Sequence, residues 1–254
     1  MTTDRARTDL GPDTPIDTPI DAVIARMQRM LDGIPAELPH RRFFTGTYLR
    51  TTRAVGDAVD QAHFEDPEWV ERWDVAFAEL YLDAARDEAA AARPWRLAFQ
   101  APADLPQLRH VLFGINAHIN YDLPQALLAV ISDDEFGDAV LMARRRRDHE
   151  RIDAILASRV GKEDAEFADW TITDRLLTPL NHRASRRFLA EARRKVWHNT
   201  EELQRARLAG PAAYRGRLAE LEVLSAAKIA DLLAPGQVLL RLAVTGFGVL
   251  LPPE

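Results

Sequence analysis

From Pro19 to Leu233 the apolar residues recur every three or four positions, and no stretch alternates apolar with polar residues long enough to make a strand. That periodicity restricts the chain to helices that bury one face against each other. It predicts an all-α, single-domain bundle of about seven to nine helices over residues 19–254. Pro19–Leu31 reads as a short helix stopped near Gly33 and Pro35, and a second covers Phe44–His63. Asp66-Pro67-Glu68 joins a capping side chain, a first-turn proline and an acidic start. The helix it opens carries Trp69, Trp73, Phe77, Leu80 and Tyr81 toward Arg93, with Pro94 as a kink or stop. Asp104-Leu-Pro106 opens the next helix in the same way, and Pro124 forces a bend or restart. Three more follow over Phe136–Ser158, Thr173–Leu208 (kinked or interrupted near Pro179) and Pro211–Leu233, the last ended by Pro235-Gly236.

Of the 254 residues 47% are hydrophobic, enough for a sizeable core, and the formal charge of -6 argues against a nucleic-acid partner, which would call for concentrated positive charge. The absence of cysteine excludes disulfides, thiolate nucleophiles, iron–sulfur clusters and Cys-ligated zinc. Val238–Leu251 is interrupted by Arg241 and by glycines and falls short of the ~20 residues of a spanning helix, so no membrane span is expected. Residues 1–18 are polar and rich in Pro, Asp and Thr. They predict a flexible tail with no signal-peptide core, and so a cytoplasmic protein.

Within this frame the run His110-Val-Leu-Phe-Gly114-Ile-Asn116-Ala-His118-Ile-Asn120-Tyr121-Asp122-Leu-Pro124 stands apart. Polar groups this dense in an apolar stretch need partners or a purpose. On a helix, Gly114, His118 and Asp122 share one face, and His118 with Asp122 form an i,i+4 imidazole–carboxylate pair. Such a pair fixes a tautomer and raises basicity, which suits general-base catalysis, metal ligation or a buried structural bond. Asn116 and Asn120 lie on the other side of the helix. A helix polar on two buried faces is expected at the centre of the bundle.

A second pair, His149 and Asp153, repeats the spacing. With His118 and Asp122 it would give four ligands for a divalent metal such as zinc, manganese or iron. Arg144–Arg147 beside it reads mainly as a solvated face, with one or two arginines free to meet an anion. His40, His63, His182 and His198 read as incidental. Trp69, Trp73, Phe77 and Tyr81 form a stripe of the kind usual in cores, and Asp74 beside it needs a partner or a task. Dinucleotide, phosphate-loop, serine-hydrolase and His-Glu-x-x-His signatures are missing, and the one Glu-x-x-His, Glu37 to His40, contains proline.

Phe44-Thr-Gly-Thr-Tyr48-Leu-Arg-Thr-Thr and Trp73-Asp74-Val-Ala-Phe77-Ala-Glu-Leu-Tyr81, together with Gly114-Ile-Asn-Ala-His118-Ile-Asn120, resemble an actinobacteria-rich bacterial family catalogued as domain of unknown function 5995. The resemblance runs from about residue 20 onward, implies one helical domain, and brings no catalytic assignment. It also implies an aromatic residue at the place of His149 and asparagine at that of Asp153, which weakens the second metal pair and leaves Asp148 as a candidate. Helical zinc phospholipases and P1-type nucleases offer an analogy only, since this chain shows no further histidine shortly after Asp122.

The leading expectation is a small-molecule enzyme of bacterial specialised metabolism, with no cofactor assigned other than an optional divalent metal (zinc, manganese or iron). In it His118 exchanges a proton, Asp122 orients it, and Asn116 or Asn120 holds an oxyanion, with His110 nearby. Trp73, Phe77, Tyr81, Asp74 and Tyr121 line the substrate pocket. Cyclisation, isomerisation or hydrolysis of a largely apolar substrate all suit such a site. One alternative is a metal-dependent hydrolase or phosphoesterase using His118, Asp122, His149 and Asp153. The other is a noncatalytic helical partner protein.

Overall fold

Local signals set most helix starts. In the computed structural model, which describes residues 18–163 and 172–253, the side chains of 153–163, 172–190, 239, 240 and 243 are outside the description, and the expected tail is outside it up to residue 17. Thr18 and Asp21 form a reciprocal capping box at the start of α1 (Pro19–Gly33), whose Ile20, Val23 and Met27 face inward. Helix α2 (Arg41–Asp60) begins one turn earlier than its sequence pattern. Asp66 accepts the Trp69 amide at 3.1 Å and caps α3 (Pro67–Arg86), with Pro67 in the first turn.

The chain then departs from expectation. Helix α3 stops at Arg86, and Pro94 starts a separate short helix, α4 (Arg93–Phe99), rather than ending the long one. Asp104 caps nothing, and α5 (Gln107–Ala117) follows Pro106 without a side-chain cap. Pro124 does not end the helical run but stands in the first turn of a new α-helical segment. A wide π turn, His118–Asp122, joins α5 to α6 (Leu123–Val130), and its Leu123 amide donates to the His118 carbonyl. Proline offers no N–H and its ring collides with the carbonyl four residues back, here that of Asn120. The extra residue in the turn relieves both problems without interrupting the rod.

After a single turn, α7 (Asp133–Phe136), come α8 (Ala139–Glu163), α9 (Ile172–Ala209, running through Pro179), α10 (Pro211–Leu233) and α11 (Val238–Thr245). Counting α5, the π turn and α6 as one rod and omitting the one-turn α7, nine helices are present among the described residues. The structure is 77% helical with no strand among those residues, so the all-α bundle holds. None of the described helices is long and apolar enough to cross a membrane. The composite rod packs on α2, α3, α4, α9 and α10, which makes it the centre of the bundle.

Candidate functional site

The π turn brings His118 and Asp122 together, with Nδ1 2.9 Å from Oδ2. Trp95, from α4, donates its indole N–H to the same oxygen at 2.8 Å. The imidazole lies flat on Phe77, ring centres 3.5 Å apart and planes 7° from parallel, and the Tyr48 ring meets it edge-on at 4.4 Å. His118 is 3% and Asp122 2% exposed, so the dyad is sealed from bulk water. Burial pushes the imidazole well below its ordinary value and the carboxyl well above its own, with the Trp95 N–H opposing the second shift. Both shifts favour uncharged forms, and the two groups hold their protons as a unit.

The polar groups around the dyad are unsatisfied. His118 Nε2, the Tyr48 hydroxyl and Asp74 Oδ2 are buried with no hydrogen-bond partner among the described residues. Thr52 Oγ1 donates to the Tyr48 carbonyl at 3.1 Å and is near enough to the Tyr48 phenol to oppose the upward shift of that hydroxyl. Burial raises the Asp74 carboxyl to about 7. The Tyr48 hydroxyl is pushed up by burial and then by the charges of Asp74 and Asp122, which places both carboxyls in its electrostatic neighbourhood. Nearly all buried polar groups in proteins are paired, so a cluster of unpaired ones around one imidazole marks a site where stability has been given up.

A cavity of about 100 Å³ lies one aromatic layer away, lined by residues that include His40, Phe44, Thr45, Tyr81, Trp95, Phe99, His110 and Gly114. Phe44, Tyr81 and Trp95 form the partition, with ring centres 6.0, 6.1 and 5.8 Å from the imidazole. Phe44 can occupy this place because residue 114 is glycine: a Cβ there would lie 2.3 Å from the Phe44 ring. Thr45 Oγ1 and the Tyr81 hydroxyl, both in the wall, are 2.6 Å apart.

Of the expected pocket residues Tyr81 lines this cavity, whereas Trp73, Phe77 and Asp74 do not. Phe77 is instead the platform under His118, and Trp73 packs between Trp69 and Phe77. Tyr121 belongs to a different apolar cluster, with Leu128, Leu203, Leu221 and Leu251. His110 lines the cavity beside His40 rather than joining the dyad; its ring centre is 5.0 Å from that of His40.

Asn116 and Asn120 do not stabilise an oxyanion in this arrangement, because both carboxamides are engaged. Asn120 donates to Asn116 Oδ1 at 2.9 Å and to the Phe247 carbonyl at 3.2 Å, and accepts the Val249 amide at 3.2 Å. Asn116 adds a bond to the Phe247 carbonyl at 3.4 Å. Asn199 of α9 completes the clamp, binding the Val249 carbonyl and the Leu251 amide. Side chains thus take the place of a neighbouring strand for residues 247–251.

Of the second polar pair, the structure describes the side chain of His149 alone. Among the described residues, no group of three or more His, Asp or Glu side chains is placed to hold a metal ion; the Asp153 side chain lies outside the description. The His149 ring stands between Trp73 and Trp197 at 5.5 and 5.4 Å, and neither nitrogen has a partner among the described residues. Such a box suits an aromatic ring better than an imidazole. Asp148 accepts the backbone amides of Glu65 and Asp66, both at 2.8 Å, and so fixes the entry to α3. The arginine run is likewise structural. Arg145 is buried, pairs with Asp66 and Glu135, and lies over the Trp69 ring, while Arg147 pairs with Glu65.

Trp95, Tyr48 and Phe44 are the site residues the polar run did not disclose. Tyr48 and Phe44 stand in the Phe-Thr-Gly-Thr-Tyr stretch that carries the family resemblance, whereas nothing local to Arg93-Pro-Trp95 points to Asp122.

The fold and site define an all-α protein with a buried imidazole–carboxylate dyad inside an aromatic box. The model of a family of unknown function (DUF5995) matches residues 20–235, and the chain belongs to that family. No curated protein and no solved structure matches it.

Proposed function

We propose that the protein is an acid–base enzyme acting on a small, largely apolar molecule, with His118 as the proton-transfer group and Asp122 and Trp95 holding its orientation. The observation that carries this reading is the set of buried, unpartnered polar atoms around the dyad: His118 Nε2, the Tyr48 hydroxyl and Asp74 Oδ2. A dyad kept only as structural glue would have its surroundings paired, because each unpaired group costs stability. In either sharing of the proton with Asp122, Nε2 stays free to give or to take one. The Asp74 carboxyl, raised to about 7, lies in the range where an acid or base works near neutral pH. A π turn is common at functional sites and here delivers both members of the dyad. Access runs through the cavity and requires the Phe44 or Tyr81 ring to swing aside.

The test is incubation of the folded protein with a small-metabolite extract, read by mass spectrometry, beside His118→Ala and Asp122→Asn. The expected result is a compound consumed at least about a hundredfold faster by the unaltered protein than by His118→Ala, the size of effect usual for a general acid or base. Identical compound profiles for all the proteins, each shown to be folded by circular dichroism, contradict the reading.

A further inference from the structure

The cavity beside the dyad holds three more polar atoms without a use. His40 Nδ1, His110 Nε2 and Arg41 Nε are buried, belong to residues lining the cavity, and have no partner among the described residues. Most of the remaining wall is aromatic or aliphatic. The charged residues there, Arg41 and Glu88, form an ion pair with each other. Burial lowers both histidines from their ordinary values, helped at His40 by the charge of Arg41 and at His110 by His40, so the wall presents neutral imidazoles and no unpaired charge.

We infer that this cavity binds an uncharged aromatic ring bearing one hydroxyl or carbonyl group, with the ring against Phe44, Tyr81, Trp95 and Phe99 and the polar group on His110 Nε2 or His40 Nδ1. Size agrees. A sealed apolar cavity of about 150 Å³ takes benzene, so about 100 Å³ with an open mouth takes most of one ring while the remainder and any further substituent project outward. Chemistry agrees as well: stacking walls select a π face, neutral imidazoles select a neutral hydrogen-bonding group, and a carboxylate or ammonium would enter without a counter-charge. The inference rests on the proposed function only in taking this molecule as the substrate; binding itself is observable without turnover.

Phenol, benzene and cyclohexanol are titrated into the full-length protein while the histidine ring signals are followed by ¹H–¹³C NMR. Phenol is expected to shift His40 and His110 saturably and to leave exposed His63 unmoved. Benzene and cyclohexanol, each lacking one of the two features, should bind more weakly. His110→Leu should weaken phenol roughly threefold to tenfold, the worth of one net hydrogen bond, and leave benzene nearly unchanged. Ala98→Leu, or Ala85→Leu should the first misfold, fills the cavity and should abolish the shifts. Absence of saturable shifts with phenol, or equal shifts in a filled variant, overturns the inference. Phenol binding without any compound consumed overturns the proposed enzyme and keeps the site. Turnover lost in His118→Ala with no phenol bound overturns the site and keeps the enzyme.

Discussion

Asp74→Asn is expected to stabilise the protein by an amount that grows with pH, from near zero at pH 4 to about 4 kcal/mol above pH 7. The unfolded carboxyl ionises near 3.8, whereas burial raises the folded one to about 7. Between those values the folded protein holds a proton that the unfolded chain has released, and each pH unit costs about 1.4 kcal/mol. Stability attached to Asp74 is therefore complete below pH 3.8, is lost as pH rises toward 7, and changes no further beyond. Asparagine does not ionise, so the stability difference between variant and parent isolates this group from all others. Urea unfolding at half-unit intervals from pH 4 to 8 measures it. A difference that stays flat across the interval would mean that Asp74 finds a partner or water when folded.

Asp148 is the contrasting carboxylate, and Asp148→Ala should cost about 4 kcal/mol. It is also fully buried, yet it accepts two backbone amides at 2.8 Å and an ion pair from Arg151. Charge-assisted hydrogen bonds contribute about 1.5–3 kcal/mol each, and the alanine variant leaves the Glu65 and Asp66 amides and the Arg151 charge without this partner. The loss should appear in thermal and urea unfolding alike and should loosen the start of α3, seen as faster amide exchange at residues 65 and 66. A loss under about 1 kcal/mol would show that water replaces the carboxylate at little cost. One buried acid is paired and supports the fold; the other is unpaired and weakens it. Only the second kind needs a functional explanation.

How far these roles were legible depends on how local their causes are. The α1 and α3 starts follow from capping side chains and prolines within a few residues, and they fall where the sequence puts them. Proline is ambiguous, since it suits a first turn as well as a stop. For that reason Pro94 reads as an ending although it begins α4. The His118–Asp122 bond is a one-turn contact, visible from spacing alone. Trp95 is not, because its bond to Asp122 joins separate segments of the chain. Asn116 and Asn120 show the same limit. Their position on a second buried face is readable, but their partners at Phe247 and Val249 lie far along the chain, and only folding shows that the carboxamides clamp a strap. Nor does spacing separate a dyad from its cavity, since the Phe44 partition depends on Gly114 facing it.

The central claim is that the polar atoms around His118 are held unpaired at a cost to the fold, for a molecule that is not part of it. Thermal unfolding of Tyr48→Phe tests this most directly, because the change removes the buried hydroxyl and keeps the ring that meets His118 at 4.4 Å. The account predicts a higher midpoint, equivalent to a gain of about 1 kcal/mol from removing an unsatisfied group. A lower midpoint would mean that the hydroxyl is already paired in the resting protein, and would reduce the cluster to structure.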